Sequence, residues 1–179
     1  MIAAVDPGGS GGMAWQDSSG EVKTCSMANR GEFTMAIGQA QGLGQNSDEE
    51  PPDEEIIVYI EKVTGFIPRR KQSDGEEEAF NLQNSSHLMF NFGKNYGIML
   101  GICEGFGITP VEVMPTEWQR MTFTRKSGTR QAWKNQLKEI AQRRFPDVKV
   151  TLSNCDALLI LSYAMLKTRG SIDIAPEKR

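Results

Sequence analysis

Short apolar runs separated by turn residues fill the first quarter of the chain. Ile2–Val5 is apolar throughout, Gly12–Gln16 follows a glycine-rich turn, and residues 21–27 alternate after the turn at 17–20. Runs of this length bounded by Gly, Pro, Asn, Asp and Ser are typical of β-strands. The pattern predicts three antiparallel strands, followed by a helix that begins near residue 31.

The remainder of the chain predicts strands and helices in alternation. Residues 56–60 form a continuous β-branched apolar run, as expected of a central parallel strand, and residues 109–114 predict a shorter one. Pro115 is suited to open a turn of helix. Further helices are predicted over residues 85–104, 129–145 and 154–168. We expect charged loops at about 46–55 and 66–84.

Length and composition indicate one soluble α/β domain spanning residues 1–179. The apolar share of 39% and the charged share of 24% are ordinary for a globular protein. No apolar run is long enough to predict a membrane span, and no signal-peptide pattern is present. Cys25, Cys103 and Cys155 are far apart and have no neighbouring histidine, so we expect free thiols in a reducing compartment.

The charge distribution changes the picture given by the net charge of −3. Residues 47–55 carry six acids and no base, whereas residues 119–146 carry eight bases and one acid. A local positive excess of this kind is either a nucleic-acid footprint or a solvated helix face. Lys126, Arg130 and Lys134 lie in this basic stretch and are suited to phosphate contacts.

Three acids stand out by their position in the predicted elements. Asp6 ends the first strand, Glu61 ends the central strand, and Asp156 lies in the first turn of the last helix. Neighbouring strand ends could bring Asp6 and Glu61 together, with the last helix laying Asp156 across them. The alternative is that the strand-end acids are solvated and that Asp156 only complements the helix dipole.

Clustered carboxylates raise one another's pKa unless a cation neutralises them. Oxygen ligands without His or Cys select hard ions such as Mg²⁺ or Mn²⁺. Two such ions about 3.5–4 Å apart could clamp a phosphodiester. The glycines that follow Asp6 would then allow a phosphate backbone to come close.

The motifs together resemble one family. "AAVDPGGSGGMAW", "VYIEKV", "FNFGKNYGIMLGICEGFGITPVEVMPTEWQRMTF", "RQAWKNQLKEIAQRRFP" and "CDALLIL" follow in order the pattern of RuvC-like Holliday-junction resolvases, of the ribonuclease H-like superfamily, in the form carried by phages. The resemblance implies a five-stranded mixed sheet of order 3-2-1-4-5 flanked by helices. It also implies Mg²⁺- or Mn²⁺-dependent nicking of four-way DNA junctions by a homodimer, leaving 5′-phosphates, in the cytoplasm of a bacterial or phage-infected cell.

Carried onto this chain, the resemblance makes Asp6, Glu61 and Asp156 the catalytic and metal-binding acids, with two ions per site. The family often places a fourth acid where this chain has Ser153, so Ser153 or Asn154 is a candidate auxiliary ligand. The segment after Glu61 faces the junction in resolvases, which makes Arg69 and Arg70 candidate DNA contacts.

The aromatic residues receive two interpretations. Phe66, in a loop, is the candidate for stacking on an unpaired base. We expect Phe90, Phe92, Trp118 and Trp133 to pack in the core, and His87 to lie near a helix start.

The sequence therefore predicts a crossover junction endodeoxyribonuclease. The alternatives are a branched-DNA-binding module that has lost catalysis, or a less selective flap or fork nuclease of the same fold. A nucleotide-binding half of the actin or sugar-kinase type is disfavoured, because the chain is too short for two lobes.

Overall fold

A computed structural model describes residues 1–44, 55–63, 75–121, 129–168 and 170, and within these residues five strands form one mixed sheet. The strand order is β3-β2-β1-β4-β5, which confirms the predicted fold class. The first three strands pair antiparallel, and β1, β4 and β5 pair parallel. The strands are β1 (Ile2–Val5), β2 (Gly12–Gln16), β3 (Val22–Ser26), β4 (Ile57–Glu61) and β5 (Val111–Val113).

Helices cover both faces of the sheet. They are α1 (Arg30–Ala40), preceded by a short 3₁₀ turn, α2 (Gly75–Gly105), α3 (Pro115–Arg120), α4 (Arg130–Arg144) and α5 (Cys155–Thr168). Strand β1 shows why two layers of helices form. Ala4 packs into the cluster with α3, α4 and α5, whereas Ala3 and Val5 pack into the cluster with α1 and α2. Successive side chains of a strand point to opposite faces, so one apolar strand serves two cores.

Helix α2 is longer than the sequence pattern predicted. It has 31 residues and begins at Gly75, so the loop expected at 66–84 is wrong for residues 75–84. Residues 76–78 are all glutamate, which has a high intrinsic helix propensity. His87 consequently lies well inside the helix, not near its start, with its Nδ1 atom 3.1 Å from Asn91 Nδ2. Residues 64–74, and 45–54 of the other expected loop, lie outside the described residues.

The first half of helix α5 is buried on all sides. All residues of α5 from Cys155 to Leu161 are buried, and the helix packs against β1, β2 and β4 as well as α3 and α4. A helix that is apolar on all sides belongs inside a protein. The three thiols are free and buried, as predicted. In the described part of the chain, no helix has the length and apolarity that crossing a membrane requires.

The aromatic predictions have mixed outcomes. Trp118 and Trp133 are buried in the core, as expected. Phe90 is 69% exposed, so its expected place in the core is wrong. It lies three, seven and eleven residues before Gly93, Gly97 and Gly101, which puts all four on one face of α2. Among the described residues, a Cβ atom added to any of these glycines would meet nothing within 4 Å, so no described part of the chain covers this face, here called the open face.

Candidate active site

The backbone ladder places the first two acids. Val5 of β1 pairs with Ile60 of β4 in parallel register, so Asp6 and Glu61 follow at the same edge of the sheet. Both side chains are buried, with 7% and 8% of their surface exposed. Adjacent strands are about 4.8 Å apart, so this register places the two acidic residues next to each other.

The glycine-rich turn after β1 wraps closely around Asp6. The Gly8 amide donates to Asp6 Oδ1 at 2.9 Å, and the Asp6 amide donates to the Gly12 carbonyl at 2.9 Å. A Cβ atom on Gly11 would lie 2.2 Å from the Asp6 carbonyl oxygen, whereas one on Gly9 would meet nothing within 4 Å. The turn therefore needs glycine at position 11 because of close backbone packing, while Gly9 borders open space.

A hydrogen-bonded turn at residues 151–154 holds the third acid at the start of α5. Asn154 Oδ1 accepts from the Thr151 amide at 2.7 Å, and Asn154 Nδ2 donates to Thr24 Oγ1 on β3 and to the Lys149 carbonyl, both at 3.1 Å. Ser153 Oγ pairs with Thr151 Oγ1 at 2.9 Å. The side chains proposed as auxiliary ligands are thus engaged in bracing the turn that carries Asp156.

Besides the neighbouring Cys155 thiol, which donates to Asp156 Oδ1 at 3.3 Å, two side chains from α3 and α4 contact the acids directly, and the sequence predicted neither contact. Trp118 Nε1 donates to Glu61 Oε1 at 3.1 Å inside the protein. The Lys134 ammonium forms an ion pair with Asp156 Oδ2, with 30% of the lysine side chain exposed. The sequence indicated Trp118 only as a core residue and Lys134 only as a candidate phosphate contact, a role that stays a prediction.

Burial and mutual repulsion dominate the electrostatics. Desolvation, followed by the charge of Asp156, raises the pKa of Asp6 to about 6. Desolvation and the charge of Asp6 raise the pKa of Glu61 to about 8, against the opposing hydrogen bond from Trp118. Burial acts to lower the pKa of Lys134, but the attraction of Asp156 and Asp6 outweighs it and the pKa rises. The three acids and Lys134 therefore form one coupled group, here called the acidic site.

The chemistry of the acidic site suits a hard divalent cation. Its donors are carboxylate oxygens, and the raised pKa values of Asp6 and Glu61 mean that Lys134 alone does not compensate their charge. Among the described residues, however, no three His, Cys, Asp or Glu side chains are arranged to ligate one ion as they stand.

The predicted DNA contacts are only partly described. Phe66, Arg69, Arg70 and Lys126 lie outside the described residues. Arg130 is the first residue of α4, and its side chain is not among those that the structure describes. Farther along this basic stretch, Arg144 turns inward, where Nη1 donates to Ser162 Oγ at 3.0 Å, so it is unsuited to the phosphate contacts expected of the stretch.

Phe92 and Asn95 link α2 to the glycine-rich turn. A Cβ atom on Gly8 would lie 3.5 Å from the Phe92 ring, and Asn95 Nδ2 is 3.5 Å from the Gly8 carbonyl. Phe92 is half-buried there, as a residue that supports the turn.

Comparison with known proteins gives structural neighbours alone. No protein-family model matches the chain, and no curated protein matches it. A structure of Thermus thermophilus RuvC in complex with Holliday junction substrate is 15% identical, with a TM-score of 0.48 over 95% of this chain and 96% of that chain. A second Thermus thermophilus RuvC structure is 14% identical, with a TM-score of 0.46 and the same coverage. Likenesses at this level do not bear on function, and the phage-type form stays a prediction.

The packing of the glycine-rich turn gives a first prediction. Replacing Gly11 with Ala forces a Cβ atom into the Asp6 backbone and should lower the free energy of unfolding by about 2 kcal/mol or more, as overpacking does. Gly9→Ala is the matched control, since its Cβ atom enters open space. Chemical denaturation of both variants measures the difference, and equal stability would contradict the described turn.

The raised pKa of Glu61 gives a second prediction. The group has a pKa of about 8 when folded and an ordinary value of 4.5, so its contribution to stability is fully present below pH 4.5 and is lost as the pH rises to about 8. Asp6 acts in the same direction up to about pH 6. The loss from Glu61 should approach about 1.4 kcal/mol per pH unit in a chelator-containing buffer.

Denaturation curves across this pH range test the effect. Glu61→Gln should flatten the fall, while Glu139→Gln, at an exposed site on α4, should leave it unchanged. An identical fall in the Glu61→Gln protein would show that the pH dependence has another source.

Proposed function

We propose that the protein is a divalent-metal-dependent, structure-selective DNA endonuclease that resolves four-way junctions by paired symmetric nicks, leaving 5′-phosphates, in the cytoplasm. The observation that carries the proposal is the acidic site. Its three buried carboxylates come from distant parts of the chain and are electrostatically coupled at one edge of a sheet that has the predicted strand order. The sequence motifs that place these acids in RuvC-like register support the same function.

Each residue of the acidic site has a part in this proposal. Asp6, Glu61 and Asp156 would hold Mg²⁺ or Mn²⁺, two ions per site, which supply a nucleophile at neutral pH and neutralise charge on the phosphate. The open side of the turn at Gly9 leaves space for a phosphate backbone to approach Asp6. Lys134, with Asp156 as its partner, supplies a positive charge where the scissile phosphate would lie.

Substitution of the acids tests the catalytic assignment. Asp6→Asn or Glu61→Gln should abolish cleavage of a synthetic four-way junction in Mg²⁺ while junction binding persists, because phosphate contacts on the basic stretch remain. Glu139→Gln again serves as the control for a charge removed elsewhere. Wild-type rates in the Asp6→Asn protein would rule out the assignment, and cleavage of flaps or linear duplex at similar rates would favour the less selective nuclease.

A branched-DNA-binding module without catalysis is the second candidate. Two observations favour it. The described carboxylates are not arranged to ligate one ion as they stand, and the Lys134 ammonium already neutralises Asp156. Calorimetry with Mn²⁺ and Mg²⁺ separates the two proposals, because a binding module needs no metal. Tight junction binding with neither cation uptake nor nicking would establish the module.

We further propose that the enzyme acts as a homodimer whose contact surface is the open face of α2. A twofold dimer needs a surface that fits itself, and a row of glycines beside a protruding Phe90 allows two helix backbones to approach closely. The resemblance implies the same state, because paired nicks require two active sites.

Substitution on this face tests the dimer. Gly97→Leu adds a bulky side chain at the centre of the contact and should convert the dimer to a monomer, while the better helix propensity of Leu keeps α2 intact. Leu88→Gln, which changes an exposed side chain on the opposite face of α2, is the control. Sedimentation velocity measures the mass. A monomeric wild type, or a dimeric Gly97→Leu protein, would contradict the proposal.

A further inference from the structure

Trp118 is the one described neutral side chain that donates a hydrogen bond to Glu61. Its indole is 1% exposed and lies in the same core cluster as Trp133, so packing alone accounts for its burial. Packing does not account for the direction of the ring, which aims Nε1 at Glu61 Oε1 at 3.1 Å.

The backbone around Trp118 is built to hold that direction. Strand β5 pairs with the end of β4, with Val113 opposite Glu61, and the Lys62 amide donates to the Val113 carbonyl at 2.8 Å. Two residues beyond Val113 the chain enters α3, whose first turn is closed by Glu117: its Oε2 accepts from the Met114 amide at 2.8 Å. Trp118 therefore sits on a short helix that directly follows β5, the strand paired with the end of β4 where Glu61 lies.

The chemistry of the donor matters as much as its position. An indole N–H only donates and carries no charge, so it favours the ionised carboxylate without competing with it for a cation. Lys134, by contrast, brings a positive charge to Asp156 that a metal ion must share or displace. Hydrogen bonds of this kind to metal-ligating groups typically fix their orientation and are worth about 10–100-fold in metal affinity.

We propose that Trp118 is a positioning residue for Glu61, whose indole N–H holds the carboxylate ready for a divalent cation. The inference rests on the proposed function, because it assigns Glu61 to cation binding. It extends that function to a residue whose sequence pattern indicated only core packing.

The test compares two tryptophans of the same core. Trp118→Phe keeps an aromatic ring but removes the donor, and Trp133→Phe makes the same change away from Glu61. Calorimetric titration of each full chain with Mn²⁺ alone, at about pH 9 so that carboxylates are ionised, measures cation affinity. Trp118→Phe should weaken Mn²⁺ binding by about 10–100-fold, and Trp133→Phe should leave it unchanged.

A second measurement does not require the Trp118→Phe protein to fold. In the wild-type protein, the indole N–H NMR resonance of Trp118 should shift when Mg²⁺ is added, and in Glu61→Gln it should not. Trp15→Phe and Trp133→Phe assign the resonance by elimination.

The outcomes separate the two proposals. If the wild type binds no Mn²⁺, the proposed nuclease function is wrong, and the role of Trp118 is wrong as well because it depends on that function. If the wild type binds Mn²⁺, two results would overturn the role of Trp118 alone. One is an equal Mn²⁺ affinity of the Trp118→Phe and Trp133→Phe proteins, and the other is a Trp118 indole resonance that does not shift when Mg²⁺ is added.

Discussion

The burial of three like charges at one edge of the sheet is the constraint on which the acidic site depends. Each carboxylate loses water on folding and also faces the other two, so the native state carries an electrostatic cost there. The surrounding structure supplies the compensation: the Gly8 amide for Asp6, the Trp118 indole for Glu61 and the Lys134 ammonium for Asp156. A different kind of donor thus contacts each acid, and a bound divalent cation would neutralise the negative charge that these donors leave.

This compensation comes from elements on both sides of the sheet. Helices α3, α4 and α5 supply the indole, the ammonium and Asp156 from one layer, while α2 supports the glycine-rich turn from the other through Phe92 and Asn95. The same α2 presents the glycine row on a different face. The proposed dimer surface and the residues that support the turn holding Asp6 therefore lie on two faces of the same helix.

The sequence was a good guide where backbone periodicity decides the outcome. The antiparallel strands and the neighbouring positions of Asp6 and Glu61 follow from apolar runs that end in an acid, whereas the full strand order was implied by the family resemblance. It was a poor guide where side-chain direction decides. Trp118 and Trp133 are indistinguishable as apolar anchors in short amphipathic segments, yet one of them hydrogen-bonds to Glu61. Phe90 was expected inside because it is aromatic and helical, but it is exposed on the glycine face of α2, which no described part of the chain covers. The start of α2 was missed because a run of glutamates is as typical of a solvated loop as of a helix start.

The parallel ladder between β1 and β4 makes the pair of acids sensitive to strand register. Val5 lies opposite Ile60, so Asp6 and Glu61 follow side by side on one face of the sheet. A slip of one residue between the two strands would turn one of the acids to the opposite face, because successive side chains of a strand alternate. The ladder thus decides whether the two acids meet at all.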